Sequence, residues 1–249
     1  MNYKIYTRSL IALLILMTCN LVAGIKENAQ KVLSEKKDAV VHISATITMD
    51  VSVAGQRMPV PDRPIKSTAT ILNKNGLIVL PLDILDPSKQ MKARVKLQLG
   101  GQDFEIKAFF KNVKVNFSDG TELPAKVVLK DEDRNLAFLK VDLTQEDAKD
   151  LKFSFIELNA KAKVKLLDEV FVLTRLPKAL YGKPALYLGQ ISCIIKRPKN
   201  IIVTTIAKPG APVFNTQGQA IAISSVSFDV PAAKVLSLMK EAEAAAAKI

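Results

Sequence analysis

The sequence is poor in the two side chains that most often bind metals or attack substrates. Its 249 residues include one histidine, His42, and two cysteines, Cys19 and Cys193. Because Cys19 lies in a predicted signal peptide, only Cys193 would remain, and no disulfide could form within the mature chain. Cys193 lies in an apolar stretch, which favours a buried structural thiol over a nucleophile. A glycine-rich phosphate loop is also absent, so the sequence predicts no cofactor and no metal.

Acidic side chains are outnumbered as well. The chain has 36 Lys and Arg against 24 Asp and Glu, a formal net charge of +12, or +10 without Lys4 and Arg8 (12 minus 2). The lysines are scattered rather than clustered, which is typical of a solvated surface. The alternative is attraction to anionic envelope material, such as phospholipid headgroups, or to an acidic protein. Nucleic acid is disfavoured by the predicted export and by the lack of a motif that combines basic and aromatic residues.

The N-terminal residues have the parts of a secretory signal. Lys4 and Arg8 give a positive region, Leu10 to Met17 form an apolar core, and small residues follow up to Gly24. The core is too short to span a bilayer comfortably. We therefore predict a signal peptide over residues 1–24 and export to a bacterial periplasm or cell envelope, or secretion. Two alternatives stay open: an uncleaved N-terminal anchor, and lipidation of Cys19, whose flanking residues loosely resemble a bacterial lipobox.

Short apolar runs separated by turn residues occupy most of the remaining chain. Asn75-Gly76 lies between two such runs and predicts a hairpin, because both residues tolerate a positive φ. Ser118-Asp119-Gly120 predicts another. Pro231 begins a final segment with helical spacing. The pattern predicts β-barrels or sandwiches followed by a C-terminal helix.

Three further segments have local patterns of their own. The prolines between Gln56 and Lys66 predict an exposed loop. Leu99 to Gln102 predicts a hairpin turn, and Val164 to Leu167 predicts a strand. A polar link from Asp142 to Lys152 separates a first set of strands from a second.

Four segments together resemble the HtrA/Deg serine proteases, which have the trypsin fold. Phe117 to Val128 is similar to the family's SDG-x-x-x-x-AKVV hairpin, and Asp131 to Val141 resembles its D-x-x-x-D-L-A-V-L-K-V segment. Gly189 to Arg197 resembles the G-I-V-S strand, and Ser227 to Pro231 resembles the F-A-I-P that precedes the terminal helix. The resemblance extends from Ala29 to Lys240.

This resemblance implies an all-β fold of two antiparallel Greek-key barrels with a C-terminal helix. It implies a trypsin-like domain over residues 25–249, with barrels over 25–150 and 151–229 and a terminal helix over 230–249. Residues 87–115 are extra relative to the family and are predicted to form an inserted β-hairpin.

The catalytic positions depart from the family pattern. Asp83 stands seven residues after Gly76, where the family has its histidine, and a carboxylate cannot serve as a neutral base near pH 7. Asn135 stands at the acidic position and carries no charge to stabilise an imidazolium. The nucleophile motif P-G-N-S-G-G-P is reduced to Pro209-Gly210-Ala211-Pro212, without the serine and without the N–H groups of the oxyanion hole. The resemblance therefore implies a protein with no catalytic residues.

Other residues do not supply the missing chemistry. His42 begins the first strand, far upstream of the active-site turn, and is expected to be an ordinary strand residue. A Cys193–His42 pair would require distant strands to converge. The carboxylates from Asp131 to Asp133 are expected to form a solvated turn rather than a metal site, because no His or Cys joins them.

The leading hypothesis is a non-catalytic binding or scaffold protein that recognises polypeptide through the old cleft, exposed barrel edges or the 87–115 segment. Phe104, Phe109 and Phe110 of that segment are candidate binding residues, with an elaborated barrel rim as the alternative. Two other hypotheses stay open. One is an active serine endopeptidase whose catalytic segments lie elsewhere, and the other is regulation of an active family protease by mixed assembly.

Overall fold

The structure, a computed structural model, describes residues 24–98, 103–148 and 151–248. The strands in these residues are β1 (Val40–Val53), β2 (Gln56–Met58), β3 (Arg63–Ile71), β4 (Leu77–Pro81), β5 (Phe104–Asn116), β6 (Glu122–Asp131), β7 (Leu136–Val141), β8 (Glu169–Arg175), β9 (Pro184–Ile195), β10 (Ile201–Thr204), β11 (Pro212–Asn215), β12 (Ala220–Ser224) and β13 (Asp229–Pro231). The helices are α1 (24–36), α2 (Leu82–Leu85), α3 (Ser88–Gln98) and α4 (Ala232–Ala246). Single 3-10 turns occur at Lys37–Ala39, Glu146–Ala148 and Lys178–Leu180.

The first barrel is an antiparallel sheet with the order β1-β3-β4-β7-β6-β5, closed by pairing of β5 with β1. β2 adds to the outer end of β1. Alternate residues of β1, such as Ile43 and Ile47, point into the barrel and are buried. Ile43 packs with Leu80 and Leu139 from the opposite side. The alternation of side chains along β1 thus places one set of them in the core.

The second barrel is closed in the order β10-β13-β12-β11-β8-β9. Val172, Ile191, Val213 and Ala222 fill its interior and are buried. The predicted architecture of two antiparallel barrels followed by a C-terminal helix is confirmed. The predicted boundary after residue 150 falls in the connector between β7 and β8. A hydrogen bond from the Ile156 N–H to the Ile71 carbonyl (2.9 Å) anchors this connector to the first barrel.

The two terminal helices pack in different places: α1 lies on the second barrel, and α4 contacts both barrels. Val32 of α1 is buried in a cluster with Phe171 and Phe214, on the outer face of the second barrel. Leu238 of α4 packs with Phe138 of the first barrel, in a cluster that also includes residues of β12 and β13. Of the helices in the described parts of the chain, none has the length and apolar character needed to cross a bilayer.

The predicted inserted hairpin over residues 87–115 is wrong. Ser88–Gln98 forms the helix α3, and β5 is a strand of the first barrel that pairs with β1 and β6. Lys, Gln, Met, Ala and Arg dominate α3, and all have high helix propensity. Asp86 starts the helix, because its Oδ1 accepts the Ser88 N–H (3.2 Å) and the Ser88 Oγ–H (2.6 Å). The predicted turn at residues 99–102 lies outside the described residues.

Two other local predictions need correction. The proline-rich segment is exposed, as predicted, but it is mostly strand rather than loop: β2 and β3 occupy its two ends, and Pro64 lies opposite Thr46 on a part of β3 that does not pair with β4. Val164 to Leu167 is not a strand: Leu167 has a φ of +67°, and the Asp168 carboxylate accepts the Lys165 N–H (2.7 Å) to close a turn. The hairpin at Asn75-Gly76 is confirmed, with a φ of +74° at Gly76.

Candidate functional site

The cleft between the two barrels is held by hydrogen bonds that cross it. Thr70 Oγ1 donates to the Gly210 carbonyl (2.7 Å), and Thr68 Oγ1 lies 3.3 Å from Thr174 Oγ1. The amide of Asn135 donates to Ser225 Oγ (3.0 Å). We call this region the interbarrel cleft. Each predicted catalytic position lies along it.

Asp83 lies on the single turn α2, directly after β4. Its N–H donates to Asn135 Oδ1 (2.9 Å), so the structure brings these two predicted positions into contact. Its carboxylate accepts a hydrogen bond from the Gln90 amide. Burial raises the pKa of Asp83, whereas the residue's own backbone N–H, the Gln90 amide and Lys89 act in the opposite direction. The group is therefore a partly desolvated carboxylate at the position where the family has its imidazole.

Asn135 serves as a structural link. Its φ of +55° places it in the left-handed region, which asparagine tolerates better than most residues. One end of its side chain accepts the Asp83 N–H and the other donates to Ser225 Oγ. Both ends of the amide are used in joining α2 to the second barrel. An aspartate at this position would have a charge to offer a histidine; this amide does not.

In the shortened loop before β11, the backbone N–H groups are hydrogen-bonded within the second barrel. The Gly210 N–H donates to the Ser224 carbonyl (2.8 Å), and the Ala211 N–H donates to the Lys208 carbonyl (3.0 Å). Ala211 is fully buried. Gly210 has a φ of +84°, and a Cβ there would lie 1.9 Å from the Thr68 carbonyl oxygen. The N–H groups that could bind an oxyanion are thus already bonded, and the loop carries no hydroxyl group.

Three cavities open around α2. The first, of about 430 Å³, is lined by residues that include Asp83, Asp86, Glu132, Asp133, Asn135 and Phe228. The second, of about 470 Å³, is lined by residues that include Ile47, Arg63, Lys66, Ile84, Met91 and Arg94. The third, of about 290 Å³, is lined by residues that include Thr68, Ile84, Thr174, Tyr187 and Lys208. Asp83 borders the first two and Ile84 the last two, so α2 is the wall that the cavities share.

His42 and Cys193 lie on different barrels. His42 is half-buried on β1, and burial, then Arg175 and Lys66, lower its pKa. Cys193 is half-buried on β9, where it lies opposite Val203. In the described residues, no group of three His, Cys, Asp or Glu side chains is placed to hold a metal ion.

The three candidate phenylalanines do not form one patch. All lie on β5, but Phe109 points to the opposite face from Phe104 and Phe110, since side chains alternate along a strand. Phe109 is exposed, at 48%. Phe110 packs against the core of the first barrel, with the Lys130 ammonium 4.7 Å from the centre of its ring.

Sequence reasoning missed two buried charged groups near the cleft. Asp229 is 2% exposed, and burial raises its pKa to about 6 despite hydrogen bonds from Thr204 and Ser224. Its Oδ2 has no hydrogen-bond partner among the described residues. The Arg175 guanidinium donates to the carbonyls of Lys37, Val40 and Gly182. Asp229 lies within the recognised segment Ser227 to Pro231, but nothing in that pattern indicated its burial.

Two packed antiparallel barrels with a cleft between them define a trypsin-fold protein. The model of the trypsin-like peptidase domain matches residues 92–223, which is more than half of the chain. The chain therefore belongs to the trypsin-like peptidase domain family.

A solved relative has the same fold. The crystal structure of Deg5 superimposes with a TM-score of 0.54 and 19% sequence identity, over 85% of this chain and 92% of that one. This likeness agrees with the resemblance to the HtrA/Deg type and concerns the fold. No curated protein matches the sequence.

Proposed function

We propose that this protein is a non-catalytic member of its family that is exported and binds polypeptide. The observation that carries the proposal is the loop at Gly210 and Ala211, which has no hydroxyl group and whose N–H groups donate to carbonyls of the same barrel. Serine proteases without a working triad can retain rate enhancements of roughly 10³–10⁴, because the oxyanion hole and substrate binding survive. This loop lacks the first of those two contributions.

The surroundings of Asp83 support the same conclusion. The carboxylate cannot accept the proton of a nearby hydroxyl with the basicity of an imidazole, and Asn135 uses its amide to hold α2 in place. Both side chains serve the packing of the cleft. The cleft itself stays open as the first and third cavities, which are lined from both barrels and are concave surfaces of the kind that bind ligands. A cleft that is retained without catalytic groups is suited to binding polypeptide.

Two measurements on the full mature chain test this proposal. A fluorophosphonate probe should label no serine, and casein should stay intact on prolonged incubation. Fluorescein-labelled, unfolded casein should nevertheless bind, as measured by fluorescence anisotropy. Labelling of a serine would establish the alternative, an active endopeptidase, and a flat anisotropy curve would contradict polypeptide binding. Export is tested separately, by sequencing the N-terminus of the protein recovered from the native cell envelope.

A further inference from the structure

The second of the three cavities is a groove with an apolar floor. Four consecutive residues of β3, from Arg63 to Lys66, line one side, and Met91 and Arg94 of α3 line the other. Ile47 and Met49 of β1 complete the floor. Its volume is about 470 Å³, enough for several side chains. We call it the basic groove.

Three cations border this groove and face solvent. Arg63, Lys66 and Arg94 are exposed, and none lies within ion-pair distance of a carboxylate in the described residues. Asp83 is the single carboxylate among the lining residues, and the Gln90 amide is hydrogen-bonded to it. The groove therefore has unneutralised positive charge beside apolar surface.

The first of the three cavities is different, because three of its four carboxylates are already paired with lysines. Glu132 lies 3.7 Å from Lys89, Asp133 lies 3.2 Å from Lys199, and Asp86 lies 3.9 Å from Lys130. A charged ligand gains less from groups that already have counterions. Of the two cavities, the basic groove has the charge available for a partner.

We propose that the basic groove binds a segment of a partner polypeptide in which apolar and acidic side chains lie close together. This inference rests on the proposed function and names its ligand. Arg63 and Lys66 lie three residues apart on β3, about 10 Å along the strand, and their side chains leave opposite faces of it. That distance exceeds the size of one carboxylate or phosphate, so the cations match several anionic groups spaced along a chain. Guanidinium groups bind carboxylates through two parallel hydrogen bonds, and methionines adapt to varied apolar side chains.

The test begins with random dodecapeptides displayed on phage and selected on the full mature chain. The selected peptides should be enriched in Asp and Glu next to Leu, Ile or Phe. One enriched peptide is then labelled and titrated against the triple variant Arg63→Gln, Lys66→Gln, Arg94→Gln. Affinity should fall about tenfold for each carboxylate–cation pair that the substitutions remove, and it should fall with added salt in the parent protein.

A matched control distinguishes the effect of the groove cations from the effect of lowering the net charge. The triple variant Lys178→Gln, Lys183→Gln, Lys196→Gln removes the same charge from exposed positions of the second barrel. It should bind the peptide like the parent. Equal weakening by both triple variants would overturn the proposal, and so would selected peptides without acidic residues.

Two further outcomes distinguish this proposal from the proposed function. Tyr187→Ala alters the third cavity, and Tyr181→Ala, on an 88% exposed residue, is its control. Peptide binding that depends on Tyr187 but not on the groove cations would overturn the groove and leave polypeptide binding intact. Groove-dependent binding to phosphatidylglycerol vesicles, with no peptide selected, would overturn both.

Discussion

The two sides of the interbarrel cleft depart from the family pattern in different ways. On the side of the first barrel, the two turns that carry Asp83 and Asn135 keep an ordered hydrogen-bonded contact, and only the side chains differ from the family pattern. On the side of the second barrel, the loop at Gly210 is shorter, and its N–H groups are bonded within the barrel. The first change could be reversed by substitution. The second requires a new backbone.

Gly210→Ala should give the largest effect and would show how tightly the loop is fixed. A Cβ would lie 1.9 Å from the Thr68 carbonyl oxygen, at a φ of +84°. We expect a loss of about 3–5 kcal/mol in the free energy of unfolding, or failure to fold, because backbone atoms must move. Gly120→Ala is the control, since its φ is +94° but nothing lies within 4 Å. It should cost only about 1–2 kcal/mol. Equal losses in urea denaturation would contradict a fixed loop.

Asp229→Asn tests the support beneath that loop. Ser224, which hydrogen-bonds to Asp229, also accepts the Gly210 N–H through its carbonyl. The native pKa of Asp229 is about 6, above the ordinary value of 3.8. Between these values the native state binds more protons than the unfolded state, so stability rises as the pH falls. The free-energy cost of ionising the buried Asp229 carboxylate applies in full above pH 6 and disappears below pH 3.8.

Relative to Asp229→Asn, the parent protein should therefore gain about 2 kcal/mol in free energy of unfolding between pH 7 and pH 4. Urea denaturation of both proteins across this range measures the difference. Parallel pH profiles would show that Asp229 titrates with an ordinary pKa in the folded state.

Asn135→Ala probes the opposite side of the cleft. The change removes the acceptor for the Asp83 N–H and the donor to Ser225, and it leaves alanine at a φ of +55°. A loss of about 2–3 kcal/mol is expected. Asn135→Asp keeps an acceptor oxygen for Asp83, so it should cost less than about 1 kcal/mol. Thermal unfolding measures the stability of both variants, and equal stability would contradict the linking role of Asn135.

Restoring the two side chains should produce the smallest effect. Asp83→His with Asn135→Asp rebuilds two catalytic positions on the first barrel but leaves the loop at Gly210 unchanged. We expect no fluorophosphonate labelling and no casein cleavage, since neither a nucleophile nor an oxyanion hole is added. Labelling of any serine in this variant would mean that the second side of the cleft had kept its chemistry.

The sequence predicted elements whose pattern is local. The hairpin at Asn75-Gly76 forms as predicted, because two residues that tolerate a positive φ lie between two apolar runs. The helix α3 was missed because its few apolar residues were interpreted as strand, whereas the cap from Asp86 and the helix propensity of the segment decide its structure. Local pattern does not reveal how a short polar segment packs.

The site could be predicted only in part, for a related reason. Asp83 and Asn135 follow recognisable segments, so their positions in the cleft could be inferred. The position of the Gly210 loop involves Thr70, which lies 140 residues away and whose hydroxyl donates to the Gly210 carbonyl. The burial of Asp229 and the unpaired cations of the basic groove likewise depend on elements that meet only in the folded chain.

The crossed placement of the terminal helices has a consequence for how the molecule comes apart. The helix at the start of the chain covers the later barrel, and the helix at the end covers part of the earlier one. A fragment cut in the connector would expose apolar surface on both halves. We therefore expect a single cooperative transition in calorimetry, and digestion that yields either intact protein or small peptides, without a surviving half.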